Sequence, residues 1–168
     1  HDLILKEDLT VGVDTNDNAV FNGNVNIENT DLVIRGTDLD PMSIGRGGGA
    51  VSTNTRVGVS ALNANTSGSQ NTAIGYQALL TNNVGASNTA IGNRALRVAG
   101  IASNNIAIGK DVMLVTLSGG KNVAIGNNAM ESNQTGSANV CIGHYAGYDV
   151  LGSGNVLIGP ADNETSAD

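Results

Sequence analysis

A five-residue block made of Asn, a mostly β-branched residue, a small residue, a second β-branched residue and Gly recurs along this chain every 17 residues. One copy reads Asn71-Thr72-Ala73-Ile74-Gly75; the asparagine returns at Asn54, Asn88, Asn105, Asn122 and Asn139, and after a step of 16 at Asn155. With that asparagine as phase 0, phase 1 is Thr55, Thr72, Thr89, Ile106, Val123, Val140 and Val156, and phase 3 is Val57, Ile74, Ile91, Ile108, Ile125, Ile142 and Ile158. Strand side chains alternate with period two, so these columns share one face of a short strand. Phase 2, on the other face, is Arg56, Ala73, Ala90, Ala107, Ala124, Cys141 and Leu157. A strand apolar on both faces is normally covered on both. The coil interior accounts for one face; against the alanine ladder lies either the other side of the same chain or a second copy of it, and a second copy is the expectation.

Glycine follows at phase 4 in every copy: Gly58, Gly75, Gly92, Gly109, Gly126, Gly143 and Gly159. It predicts a turn that needs positive φ or has no room for a Cβ. A second turn is expected near phase 14, at Gly68, Gly85, Gly119 and Gly136; Ala102 and Ser153 break that column, with Gly100, Gly152 and Gly154 close by. Between the turns, phases 7 and 8 (Ala61-Leu62, Ala78-Leu79, Ala95-Leu96, Val112-Met113, Ala129-Met130, Ala146-Gly147) predict a second inward segment, either a strand or one helical turn. The asparagines suit the turn entering the strand, and they also align for an amide ladder between coils.

A period this short means a stacked, quasi-one-dimensional all-β architecture. Coils about 4.8 Å apart give a stack roughly 30 Å long over six steps. Residues 54–159 form the repeat, and 41–53, with Ile44-Gly45, read as an irregular first coil or cap. Residues 1–40 lack the period and read as a β-rich connecting or root segment, with short β-prone runs at 9–13, 19–21, 25–27 and 32–34 and a hairpin signal at Asn22-Gly23. Residues 160–168 form an exit tail.

Only 2% of the residues are aromatic and none is tryptophan, so the core must come from Ile, Val, Leu, Ala and Met in thin layers. The net charge of −7 is uneven: nine acids and two bases fall in residues 1–40, against five bases and three acids in 54–159. An acidic chain without a basic run is a poor nucleic-acid ligand. No apolar run approaches the roughly 20 residues that span a membrane. The single cysteine, Cys141, excludes an intrachain disulfide and reads as a buried small hydrophobe. A chain that begins with His1 reads as a fragment or a processed piece.

Enzymatic chemistry needs clustered groups, whereas His144, Asp111, Glu131 and Asp149 fall on different stretches of the repeat. No enzyme, cofactor or metal site is expected. The Gly45–Ala50 run "GRGGGA" has no βαβ context for a dinucleotide site. The repeats hold too little Asp for a calcium-binding roll, phase 9 lacks the aliphatic residue of a hexapeptide helix, and the threonine column stops at Thr89, too early for an ice-binding array. Recognition is expected in the variable pair after the glycine turn: Tyr76-Gln77, Asn93-Arg94, Lys110-Asp111, Asn127-Asn128 and His144-Tyr145. The fixed positions are scaffold.

The repeat "NTAIGYQALLTNNVGAS", with "NTAIGNRAL", "NVAIGNNAM" and "NVCIGHYAG", resembles the YadA-like head repeat of trimeric autotransporter adhesins and similar repeats of bacteriophage tail fibres. The resemblance covers about residues 43–159. It implies a left-handed parallel β-roll that trimerises side by side, with phases 1 and 3 inward. The 17-residue period exceeds the usual adhesin repeat, a difference that falls on the turns. "NGNVNIENTDLVIRG" at 22–36 and "NVLIGPADNETSAD" at the C-terminus look like connecting and exit segments of a phage fibre. The resemblance therefore implies a non-enzymatic virion appendage that attaches to a surface glycan or protein receptor of the host. The alternatives are the head of a bacterial surface adhesin, or a spacer whose binding tip is elsewhere.

Overall fold

The computed structural model describes residues 32–34, 42–45, 51, 53–150 and 152–160. Among these residues nine strands form one sheet in chain order: β1 (Leu32–Ile34), β2 (Met42–Gly45), β3 (Thr55–Val57), β4 (Thr72–Ile74), β5 (Thr89–Ile91), β6 (Ile106–Ile108), β7 (Val123–Ile125), β8 (Val140–Ile142) and β9 (Val156–Ile158). β2 is antiparallel to both β1 and β3, whereas β3 to β9 are parallel and paired phase for phase, Ala73 beside Ala90 and Ile74 beside Ile91. The seven parallel strands build an all-β solenoid of about six turns with coils of about 17 residues, and no helix occurs among the described residues. The β-prone runs at 9–13, 19–21 and 25–27 and the Asn22-Gly23 turn lie outside the described residues.

The inward and outward faces are the reverse of the expected ones. Ala73, Ala90, Ala107, Ala124 and Cys141 at phase 2 are fully buried, while phases 1 and 3 are half-buried or exposed, with Ile74 and Ile106 retaining 37% and 40% of their surface. The reason is coil thickness. Phase 2 belongs to the same buried cluster as the Ala-Leu and Ala-Met pairs of phases 7 and 8, so a methyl group from the strand meets a long side chain from the opposite wall. The alanine ladder is therefore covered by its own chain rather than by a second copy.

Phases 7 and 8 form neither a strand nor a helical turn. Leu62, Leu79, Leu96, Met113 and Met130 all have positive φ, between 46° and 50°, and so do the residues at phases 6 and 16, such as Gln77 and Ser87. A left-handed non-glycine residue costs about 1–2 kcal/mol. Inter-coil bonds hold it there: Gln77 N–H donates to Val59 C=O, Leu79 N–H to Ala95 C=O and Ser87 N–H to Ser69 C=O. Each coil is thus bonded to the one before and the one after.

The asparagine column is buried and forms the ladder in full. Asn105 Oδ1 accepts from the backbone N–H of Asn122 at 3.0 Å, and Asn105 Nδ2 donates to Gly119 C=O of its own coil at 3.0 Å. The same pair of bonds runs from Asn54 to Asn139. In the last coil Gly152 takes the place of the phase 14 glycine, accepting from Asn139 Nδ2 at 2.9 Å one position early, which is where the step shortens to 16. That coil also has Gly147 where the others have Leu or Met, because a Cβ at 147 would run into Cys141 Sγ.

A second buried asparagine column, at phase 11, comprises Asn65, Asn82 and Asn133, each donating to the phase 14 carbonyl of its coil. Their Oδ1 atoms occupy the space a Cβ at Gly68, Gly85 or Gly136 would need. In the coil of residues 88–104 both partners change together, to Ala99 and Ala102, and Ala102 N–H instead bonds Ala99 C=O at 2.7 Å. Ala99→Asn alone is expected to overpack this site and cost about 1–3 kcal/mol. Combined with Ala102→Gly it is expected to cost at least ~1 kcal/mol less than the sum of the single changes. Denaturant unfolding of the four proteins checks this, and additive costs would refute the coupling.

Candidate functional site

The left-handed phase 6 residue throws the chain back after each strand and places phases 5, 6 and 9 along one edge of the stack. Arg94 N–H donates to Tyr76 C=O, Asp111 N–H to Asn93 C=O, Asn128 N–H to Lys110 C=O and Tyr145 N–H to Asn127 C=O, so consecutive rungs are stitched together. Tyr76, Asn93, Lys110, Asn127 and His144 are exposed in one column. Gln77, Arg94, Asn128 and Tyr145 are half-buried beside them. Of the residues expected to face solvent, Asp111 does not: it is buried.

Asp111 serves as an anchor. Arg94 grips it through Nε at 2.6 Å and Nη2 at 2.7 Å, and Lys110 Nζ stands 3.9 Å away. The hydrogen bond that Arg94 donates to Asp111, and then the carboxylate's charge, raise the Arg94 pKa and hold the guanidinium protonated. The charge-assisted hydrogen bond from Arg94 Nη2 to Asp111 Oδ2 fixes direction as well as charge, and the Nε contact to Oδ1 adds an ion pair whose angle does not make a hydrogen bond. Arg97 adds a third cation and donates through Nε to Gln77 Oε1 at 3.2 Å, across to the previous coil.

Phase 9 joins this edge, and nothing in the sequence pattern singles it out. Its column mixes Asn63, Leu80, Arg97, Leu114, Glu131 and Tyr148. Three contacts place it: Arg97 to Gln77, Asn128 Nδ2 donating to Glu131 Oε2, and the rings of Tyr145 and Tyr148 with centroids 5.5 Å apart. His144 meets Tyr145 edge-on at 4.4 Å with planes at 70°. The last full coil therefore carries an aromatic cluster, His144, Tyr145 and Tyr148, flanked by Asn127 and Glu131 of the coil before.

Among the described residues no group of three His, Cys, Asp or Glu side chains could hold a metal ion. No helix there is long and apolar enough to cross a membrane. A shallow hollow of about 360 Å³ lies at the C-terminal end, lined by Val150, Gly152, Asn155, Val156 and Leu157. It is the uncovered side of the last strand, where Val156 and Ile158 are 69% and 74% exposed.

Cys141 lies in the alanine column of β8, fully buried within its own chain. Burial pushes the thiol above its ordinary value. The folded protein is expected to resist thiol reagents at pH 8 and to react at one equivalent on unfolding, which a colorimetric thiol titration measures. Because the folded pKa is raised, this group's contribution to stability is complete below the unfolded pKa and declines above it as the unfolded thiol ionises.

The fold defines the class, a parallel β-solenoid with an asparagine spine. Comparisons with protein-family models, with curated proteins and with solved structures find no match to the chain.

Proposed function

We propose that this chain is the non-enzymatic head of a trimeric fibre of the phage tail-fibre type, a left-handed roll that attaches a virion to its host through the polar and aromatic edge. The observation that carries the assembly is the outward face of the sheet. Its phase 3 column is aliphatic from Val57 to Ile158, and its phase 1 column is threonine up to Thr89 and Ile or Val from Ile106 on, a β-branched band about 10 Å wide by 30 Å long. Ile74, Ile106, Val156 and Ile158 on that band are exposed in the single chain. A row of exposed and half-buried apolar side chains on one face marks an interaction surface. Two further copies are its occupants, since the phase 3 aliphatic residue repeats on every rung and a copy in register sets Thr rungs against Thr rungs and Ile or Val rungs against their like. The alanine ladder expected to form this contact lies inside the coil, so the β-branched columns take its role.

Sedimentation in native buffer tests the assembly. The protein is expected at about three times the chain mass of 16.9 kDa, and Ile106→Glu is expected to release folded monomers. A stable monomer of the unsubstituted protein would overturn it. Attachment is tested by binding of the labelled protein to a panel of bacterial cells; a trimer that binds none of them is a spacer instead. The edge carries attachment because it joins exposed tyrosines, amides and cations in one line, the side chains that dominate recognition surfaces.

A further inference from the structure

We infer that the ligand of the polar edge is an extended polysaccharide lying along the stack axis, with one sugar ring to each coil. The inference rests on the edge being the recognition surface. Rungs about 4.8 Å apart match the advance of one pyranose ring in an extended polymer. Five successive rungs present an exposed side chain at the same phase: Tyr76, Asn93, Lys110, Asn127 and His144. A ligand with the same repeat as the protein can use them all.

The aromatic residues are placed for sugar. The chain has three tyrosines and no tryptophan, and all three tyrosines, Tyr76, Tyr145 and Tyr148, are on this edge. Tyr76 stands at one end and the His144, Tyr145 and Tyr148 cluster at the other, four rungs or about 19 Å away. The C–H faces of a pyranose pack on electron-rich ring faces, which present partial negative charge to them. Between the two ends the exposed side chains are amides and an ammonium, which bond hydroxyls and ring oxygens.

The test uses the full 168-residue protein and the cells it binds. Periodate, which cleaves vicinal diols, is expected to abolish binding, and protease treatment of the cells is expected to leave it intact. Polysaccharide purified from those cells and cut into a length series is expected to bind with affinity that rises to about five rings and then levels off, following the five rungs. Tyr148→Ala is expected to lose about tenfold in affinity and Tyr148→Phe to keep it, because stacking needs the ring and not the hydroxyl. Val84→Ser, at an exposed position away from this edge, controls for folding. Binding that survives periodate and is lost to protease overturns the polysaccharide while leaving the edge as a receptor site. Monosaccharide binding as tightly as the polymer overturns the axial placement. Cell binding indifferent to Tyr148→Ala and to Lys110→Ala together overturns the edge itself, and with it both readings.

Discussion

Asn105→Ala is expected to destabilise the solenoid by about 3–6 kcal/mol, because one amide holds three parts of the structure. Its Oδ1 accepts from Asn122 N–H at 3.0 Å and from Asn122 Nδ2 at 3.1 Å; its Nδ2 donates to Gly119 C=O at 3.0 Å and to Asn88 Oδ1 at 3.2 Å. Asn88, Asn105, Asn122 and Gly119 are all buried, so no water replaces what is lost. Truncation leaves the Asn122 N–H and the Gly119 carbonyl orphaned, each at a cost of about 1–3 kcal/mol. In a quasi-one-dimensional stack, stability sums over coils and their interfaces, so a weak central interface uncouples the two halves. The expected signature is a broadened denaturant transition, with amide exchange accelerated in the coils on either side of Asn105. Asn93→Ala, on the exposed edge, is expected to change stability by less than about 0.5 kcal/mol. Equal effects of the two substitutions would refute a structural spine.

Gly109→Ala is expected to cost at least 3 kcal/mol or so and to prevent the coil from closing. Gly109 has φ of 139°, a region that L side chains rarely adopt, and the added Cβ would stand 2.6 Å from the Gly126 carbonyl oxygen of the next coil. The obstruction is backbone on a neighbouring rung, so no rotamer change relieves it. Gly109 N–H also donates to Ile91 C=O, so a shift of the residue breaks the bond to the coil behind. Thermal unfolding of the Ala variant measures the loss. At Gly154 a Cβ would meet nothing within 4 Å, and the cost there is limited to its φ of 76°, about 1 kcal/mol. A Gly109→Ala protein as stable as Gly154→Ala would show that close stacking is not what fixes the glycine column.

The repeat, its strand phases and the two glycine turns are legible in the sequence because each depends on one residue type recurring in register. The Asn-to-Gly strand is β-branched at two positions out of three, and Gly109 and its equivalents are required by a positive φ and, up to Gly143, by contact with the backbone of the next rung. The amide ladder is legible for the same reason, since identical side chains 17 residues apart stack on one another. The phase 11 column is in the sequence as well, at Asn65, Asn82 and Asn133, but Ala99 and Thr116 interrupt it, and its pairing with the phase 14 glycine emerges only from the shared space. Left-handed Leu79 and Met113 carry no signal, because neither residue favours positive φ and inter-coil bonds impose it.

By itself the sequence determined that the chain is a stack of coils, where each strand and tight turn falls, and which positions vary. Those are consequences of periodicity, and periodicity survives in one dimension. Only the tertiary structure decided which face of the strand is inside, because alternation gives two faces and not their direction. The decision depends on volume: the wall opposite carries Leu and Met, so Ala fits beneath them and Ile does not. The same packing turns phases 5, 6 and 9 to a common edge, where Tyr145 meets Tyr148 and Arg97 reaches Gln77.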